Sequence, residues 1–398
     1  MLEGTKVLSF THFLQGPSAV QMLADLGADV VKVEPPTGAF ERSWSGLDAY
    51  LGDVSVFFLL GNRNQRSITL DLRNDKARQI VHRLVQETDV LIENYRPGVM
   101  KRLGLDYATL KEINPKLVYC SCTGYGTDGP HAKRPGQDLL LQAMSGLATL
   151  SGAGDAPPTP TGAAVVDQHA AVLAAFGVLA GLLRRTKTGR GCQVESNLLN
   201  AALDLQMEPF SYYLNKGPLW ERSTPSMGSR THAAPYGIYQ TADGWIAISI
   251  STMDKLALGL EMPELAKYTA ADQVGRREEI NRIVHKRIAQ RTTEQWMASF
   301  DASEIWYAPV NEYPDVERDP QVAWNRVIME FDHPDAGKVR LLAHPVRYDG
   351  QAPGLRRRPP RLGEHTREVL REAGYSEADI DAMAGAGAVV LEPRRATS

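Results

Sequence analysis

The chain has 398 residues, 43% hydrophobic and 23% charged, the balance of a soluble globular protein able to bury large cores. A formal net charge of −3 gives no general attraction to nucleic acid or to an anionic membrane, so any anionic ligand must be met by a local basic cluster. Three cysteines, Cys120, Cys122 and Cys192, are too few for a disulfide framework, and Cys120-Ser121-Cys122 lacks the two-residue gap of common zinc and redox pairs. The first residues, Met1-Leu2-Glu3-Gly4-Thr5-Lys6, lack the basic-then-apolar layout of a signal peptide. No stretch reads as the ~18 apolar residues of a membrane span, so a cytoplasmic location is expected.

Lys6 to Phe10 is a short apolar run, Gly16-Pro17-Ser18 opens a helix through Leu26, and Gly27 can end it before Asp29 to Glu34 runs extended. This β-α-β pattern recurs. Ser67 to Leu72 reads as a strand, Asp75 to Gln86 as an amphipathic helix and Val90 to Glu93 as a strand, with a helix near Tyr107 to Ile113 and a strand at Leu117 to Ser121. Alternation of this kind predicts an α/β fold with a mostly parallel sheet covered by helices. From Asp167 to Leu183 the residues are apolar nearly all round, which predicts a helix buried in the core. Arg184, Arg185 and Lys187 complement its C-terminal dipole, and Gly189 or Gly191 closes the turn.

Gly217 to Arg230, rich in Gly, Pro and Ser, reads as a linker. Beyond it, Tyr236 to Ile250 reads as a hairpin around Asp243-Gly244, with helical segments near Thr252 to Leu258, Gly275 to Gln290 and Thr293 to Phe300 making a second, smaller domain. Pro353 to Arg361 is expected extended, because each proline disfavours helix at the residue before it. Helices at Glu364 to Ala373 and Ser376 to Ala384 and a frayed tail complete the chain.

Several chemistries lack their motifs. No Gly-x-Gly-x-x-Gly follows the first strand, where Thr11-His12-Phe13-Leu14-Gln15-Gly16-Pro17 stands instead, and neither a phosphate-binding Gly-x-x-x-x-Gly-Lys-Ser/Thr nor a Gly-x-Ser-x-Gly elbow is present. The nine histidines show no metal-ligand spacing, so no metal is expected. Asp167, between Ala163-Ala164-Val165-Val166 and the apolar helix, is open to two readings. An Asp there can cap the helix through backbone N–H groups. The same placement also presents a poorly hydrated carboxylate at the mouth of a core, which suits a nucleophile.

Taken in order, a set of motifs resembles the family III CoA-transferases, the group of formyl-CoA transferase and carnitine CoA-transferase that also contains the α-methylacyl-CoA racemases. It comprises Gly16-Pro17, Met22-Leu23-Ala24-Asp25-Leu26-Gly27-Ala28-Asp29-Val30-Val31-Lys32-Val33-Glu34, Asn64-Gln65-Arg66-Ser67-Ile68 and the run Asp89 to Gly104 around Glu93-Asn94-Tyr95-Arg96-Pro97-Gly98. Thr161-Gly162, Val166-Asp167, Thr188-Gly189-Arg190-Gly191, Asp243-Gly244-Trp245 and Leu362-Gly363-Glu364-His365-Thr366 complete it. The resemblance covers almost the whole length. It implies that Asp167 is the nucleophile, attacking an acyl-CoA to give an aspartyl mixed anhydride, then an aspartyl-CoA thioester that a second carboxylate resolves. It also implies coenzyme A as a substrate rather than a tightly bound cofactor. Leu14, Gln15, Leu70, Asp71, Leu72, Arg73, Asn94, Tyr95 and Arg102 would lie along its channel, and Arg42 would approach a phosphate. The alternative for Arg73 and Arg102 is solvated charge flanking a helix.

Racemases of this group carry His in a Gly-His-Asp motif, whereas Gly136-Gln137-Asp138 stands here, and glutamine has no proton to exchange. Gln137 would then be a polar contact to the acyl group or acceptor, or an ordinary helix N-terminal residue, with Asp138 structural. The glycine run of formyl-CoA transferase corresponds to Met227 through Gly237, whose Arg230 and His232 suit a carboxylate on a larger acceptor; His232 equally suits a hydrogen bond at the hairpin base. The resemblance implies a large Rossmann-like open-sheet domain from both chain ends, residues 1–215 and 330–398, around a smaller α+β domain, 225–325, in an interlocked homodimer. The alternatives are an acyl-CoA racemase or isomerase of the same family, a non-catalytic CoA-binding protein and, more weakly, a Rossmann oxidoreductase.

Overall fold

Short extended runs in the first half of the chain become β1 (Lys6–Phe10), β2 (Asp29–Glu34), the short hairpin β3 (Tyr50–Leu51) and β4 (Val54–Ser55), β5 (Gln65–Thr69), β6 (Val90–Glu93), β7 (Val118–Thr123) and β8 (Cys192–Asn197). The structure is a computed structural model that describes residues 1–391; the tail expected to fray lies outside the described residues. Six of these strands form one parallel sheet in the order β5-β2-β1-β6-β7-β8. Its strands are apolar on both faces because both faces are covered. Leu8, Phe10, Val31, Val33, Ile68 and Leu91 meet the Asp75–Val85 helix and the two C-terminal helices, Thr366–Glu372 and Glu377–Gly385. Val7, Val30, Val90, Ile92, Val118 and Cys120 meet the Gln15–Asp25 and Val165–Thr188 helices. Each fully buried side chain of this size contributes roughly 1.5–3 kcal/mol.

The strand order reverses between β1 and β6: from β1 the chain winds outward through β2 to β5, then returns to β6 and winds the other way. Such a switch point leaves a crevice beyond the carboxyl ends of the two strands, where ligands of open α/β sheets bind. Among the described residues, 1–141, 164–201 and those from 323 onward make up this unit, so segments from both halves of the chain build it. It also contains the hairpin β12 (Ile328–His333) and β13 (Gly337–Leu342).

The second unit comprises residues 142–163 and 202–322. Residues 142–163 precede Asp167 in sequence yet pack here, which the pattern of elements did not suggest. An antiparallel sheet in the order β11-β10-β9, from Tyr307–Pro309, Trp245–Ile248 and Gly237–Gln240, sits on a core of Tyr239, Ile246, Leu256, Ile280, Val284, Trp296 and Phe300.

Four expectations are corrected. The Val165–Thr188 helix is long and apolar enough to cross a membrane, and it packs on the sheet through Ala171, Ala174, Ala175, Val178 and Leu182. Its other face is not buried: Val172 is 47%, Phe176 69% and Leu183 60% exposed. The helix begins before Asp167, with Ala164 at its cap, so Asp167 is not the N-cap. The segment read as a linker, 217–230, is tied down, since Arg222 donates to the carbonyls of Ser151, Ala156 and Pro157.

Candidate active site

At the switch point, Asn94 follows β6 and clamps the chain that leaves β1. Its Nδ2 donates to the His12 carbonyl at 2.7 Å, and its Oδ1 accepts the His12 N–H at 3.0 Å. From β2, the fully buried Lys32 donates to the Thr11 carbonyl at 2.8 Å and to Glu41 at 3.0 Å. Glu41 in turn accepts the Phe13 N–H, and Phe13 sits at φ 61, a strained angle for an aromatic residue. This over-determined loop delivers Leu14 to the helix cap and Gln15 to the first turn. Gln15 is 6% exposed and its Nε2 has no hydrogen-bond partner among the described residues, so a buried donor is left unsatisfied beside the end of β1. Tyr95 packs edge-on against Phe10 and beside His12.

Asp167 lies in the first turn of its helix, and Gln168 beside it donates to Ser18, one turn on from Gln15. The helix start is capped by Asp138, whose Oδ2 accepts the N–H groups of Val166 at 2.7 Å and Asp167 at 3.0 Å. Gly136 positions this segment by packing backbone to backbone on Gly124: a Cβ at 136 would lie 2.5 Å from the Gly124 Cα. With capping done by Asp138, the Asp167 carboxylate is spared, and its acidity follows its surroundings. Burial first, then the Asp138 charge, push Asp167 up to about 7, although a helix N-terminus by itself favours an anion. A half-buried carboxylate that ionises near neutrality is a better nucleophile than an ordinary Asp, because nucleophilicity rises with basicity.

The other expected residues divide. Leu14, Gln15, Asn94 and Tyr95 converge at the crevice, as described, while Gln137 is exposed immediately before the Asp138–Met144 helix. Arg102 is exposed on the Val99–Leu103 helix and has no carboxylate partner among the described residues. After β5, Arg73 is exposed and forms a bidentate pair with Asp71. Leu72 packs against the core, and Leu70 is 1% exposed with its N–H given to Glu34, so Leu70 has no side-chain surface for a ligand. Arg42 is likewise committed elsewhere. Its guanidinium grips both oxygens of the buried Glu34, donates to the Pro360 carbonyl and lies 3.8 Å over the Phe58 ring. The phosphate role expected of it gives way to that of a strut, because releasing it would strand Glu34, which Arg42 and Lys32 hold at about 2 against its burial.

In the second unit, Arg230 donates to the Trp220 carbonyl at 2.6 Å and the Thr149 carbonyl at 3.4 Å, leaving further N–H groups on a half-exposed side chain. His232 stacks on Tyr236 at 4.2 Å, shares a hydrogen bond with Ser229 and has Nε2 4.0 Å from Glu208. The residue that sequence reasoning passed over is Glu93, at the carboxyl end of β6. It is 6% exposed, accepts the Tyr95 N–H and is raised by burial to about 7. Its only advance signal was an acidic residue ending an apolar strand.

Residues 2–366 match CoA-transferase family III. The chain belongs to that family. It is 36% identical over 397 residues to the mouse succinyl-CoA:glutarate CoA-transferase, covering 98% of this chain and 90% of the relative. It is also 32% identical to the succinyl-CoA:mesaconate CoA-transferase of Haloarcula hispanica, covering 94% and 96% of the two chains. A crystal structure of a CaiB/BaiF family protein from Brucella suis superposes with a TM-score of 0.79 at 31% identity, over 94% of this chain and 99% of that one. The protein is therefore a CoA-transferase acting on acyl-CoA and carboxylic acid substrates, with the CaiB/BaiF fold.

Proposed function

We propose that this CoA-transferase moves CoA from a dicarboxylic acyl-CoA, succinyl-CoA foremost, to a second short dicarboxylate, with Asp167 as the covalent carrier. The observation that carries the reading is the half-buried Asp167 carboxylate, free of capping duty and raised to about 7. An Asp167 oxygen attacks the thioester carbonyl; the C–S bond breaks and CoA thiolate leaves an anhydride. The thiolate then attacks the Asp167 carbonyl carbon, expels the donor carboxylate and forms aspartyl-CoA. The acceptor carboxylate attacks that thioester, giving a second anhydride, and the returning thiolate takes the acyl group and frees Asp167. Each step exchanges a carboxylate and a thiolate with no net proton transfer, so no general acid is needed and Gln137 serves as a polar contact. The unpartnered Gln15 Nε2 is the donor best suited to the oxyanions, because the Val166 and Asp167 N–H groups are already given to Asp138.

CoA would bind along the switch-point crevice of a Rossmann-like sheet, against Leu14, Gln15, Asn94, Tyr95 and the backbone beyond β5, its phosphates meeting Arg102 and Arg73. Arg73 would leave Asp71 to do so, an exchange of one exposed ion pair for another. Dicarboxylate preference is supported by the succinyl-CoA-dependent relatives and by Arg230 and His232, proposed to read the distal carboxylate. The exposed apolar faces, Val172 and Phe176 on one unit and Met207 and Tyr213 on the other, support an interlocked homodimer. Three free thiols suit a reducing cytoplasm.

Intact-protein mass spectrometry after mixing with succinyl-CoA and rapid acid quench tests the carrier. A CoA adduct on Asp167, absent from Asp167→Ala and cleared by glutarate or another dicarboxylate, is expected; an equal adduct in both proteins refutes it.

A further inference from the structure

The loop that carries Arg230 and His232 is held by a row of side chains four residues apart. Gln273, on the Ala270–Gly275 helix, donates to the Ala234 carbonyl at 2.8 Å and receives the Ala234 N–H on its own carbonyl. Four residues on, Arg277 donates to the Ser229 carbonyl at 3.0 Å and the Arg230 carbonyl at 3.4 Å, and also reaches Ser223 Oγ and Met227 Sδ. Asn281, a further four on in the Arg277–Ile288 helix, donates to the Pro225 carbonyl at 2.8 Å. Arg277 and Asn281, at i and i+4, share one face of their helix, and Gln273 joins them from the preceding short helix across the non-helical Arg276, so three side chains fasten both ends and the middle of the 225–234 segment.

Arg277 is the unusual member. It is 5% exposed and makes no ion pair among the described residues; Ser223 claims the neighbouring Glu278, and the guanidinium lies 4.5 Å over the Trp220 ring. A buried guanidinium without a carboxylate partner is costly, and burial lowers the Arg277 pKa although the nearby Glu278 charge opposes the shift. Its charge is met instead by loop carbonyls. That arrangement fixes the peptide planes on both sides of Arg230, and the backbone orientation sets where the Arg230 side chain starts. A lysine could not reproduce it, since one ammonium lacks the planar fork that spans two successive carbonyls.

We propose that Arg277 is a positioning residue for dicarboxylate selection: it holds the Met227–Ala234 loop in one conformation, so that Arg230 meets the distal carboxylate of a dicarboxylic substrate, the succinyl donor included. This rests on the reading of Arg230 given above. A loop fastened at three points is a rigid platform, which favours discrimination between substrates.

The experiment compares kcat/KM for succinyl-CoA with that for butyryl-CoA, a donor of the same chain length lacking the distal carboxylate, in the full-length enzyme. Native protein, Arg277→Lys, Arg277→Met, Asn281→Ser and Arg230→Gln are measured. In Arg277→Lys the succinyl over butyryl preference is expected to fall about tenfold while the butyryl-CoA rate stays within about twofold, and hydrogen exchange in 225–234 is expected to quicken. A general folding defect would lower both rates together and leave the ratio unmoved. Asn281→Ser, which loosens one end of the loop, should lower the ratio less and remain soluble if Arg277→Met does not fold. If Arg230→Gln loses the preference but Arg277→Lys and Asn281→Ser keep it, the positioning role is overturned. If Arg230→Gln itself keeps the preference, the reading of Arg230 fails first.

Discussion

Replacing Asp138 by Asn tests what sets the acidity of Asp167, the proposed nucleophile. With Asp167 at about 7, the ionised fraction rises from roughly one tenth at pH 6 to roughly nine tenths at pH 8. If only the carboxylate attacks, the second-order rate constant for CoA-adduct formation rises about tenfold over that interval and is flat above it. Asparagine at 138 keeps an amide oxygen for the Val166 and Asp167 N–H groups and removes the neighbouring negative charge. Burial then acts alone, the Asp167 inflection moves to lower pH, and the ratio of the pH 8 rate to the pH 6 rate falls toward one. Rapid-quench mass spectrometry at sub-saturating succinyl-CoA reads this directly. Glu93→Gln serves as the control, because Glu93 titrates in the same range. An unchanged ratio in Asp138→Asn, or an inflection displaced to higher pH, refutes the assignment of Asp138 as the charge that holds Asp167 up.

Glu93 is raised from 4.5 to about 7, so the fold favours its neutral form; that contribution is full below 4.5 and lost as pH rises through 7. Glu93→Gln is expected to be more stable than the native protein at pH 8, by up to about 3 kcal/mol, and no more stable at pH 4; urea unfolding at both values checks the sign. Asp25→Ala should destabilise by about 3–5 kcal/mol, because Asp25 accepts from the buried Arg63, Asn64 and His344 and would leave Arg63 uncompensated. A melting temperature equal to native would contradict that. Phe176→Glu, on the uncovered face of the Val165–Thr188 helix, should yield monomers by light scattering if that face is the dimer contact. A dimer undisturbed by the change places the contact elsewhere.

The sequence by itself determined the α/β sheet, because short-range patterns encode it: short strand-forming runs such as Asp29 to Glu34, and Gly27 at φ 112 turning the chain between helix and strand. It missed β8, where an exposed alternating strand, Cys192–Asn197, lacks the apolar run that marks its neighbours. Leu14, Gln15, Asn94 and Tyr95 are assigned to a CoA channel by the family resemblance and not by strand order; the structure sets them just beyond the ends of β1 and β6.

Only the tertiary structure decided what the charged side chains do. Arg42 and Arg102 are alike in sequence, yet one grips Glu34 and the other stays open, because partners 8 and 318 residues away are found only by folding. Asp167 and Asp138, 29 residues apart, exchange the roles local rules suggest: Asp138 caps the helix through the Val166 and Asp167 N–H groups, and the Asp167 carboxylate in the first turn is left out of the capping. Capping and ion pairing depend on distances of about 3 Å across chain segments remote in sequence, and such distances have no local signature. The trio of Gln273, Arg277 and Asn281 shows the boundary between the two: its spacing is plain in the sequence, but its meaning lies in the loop carbonyls that it meets.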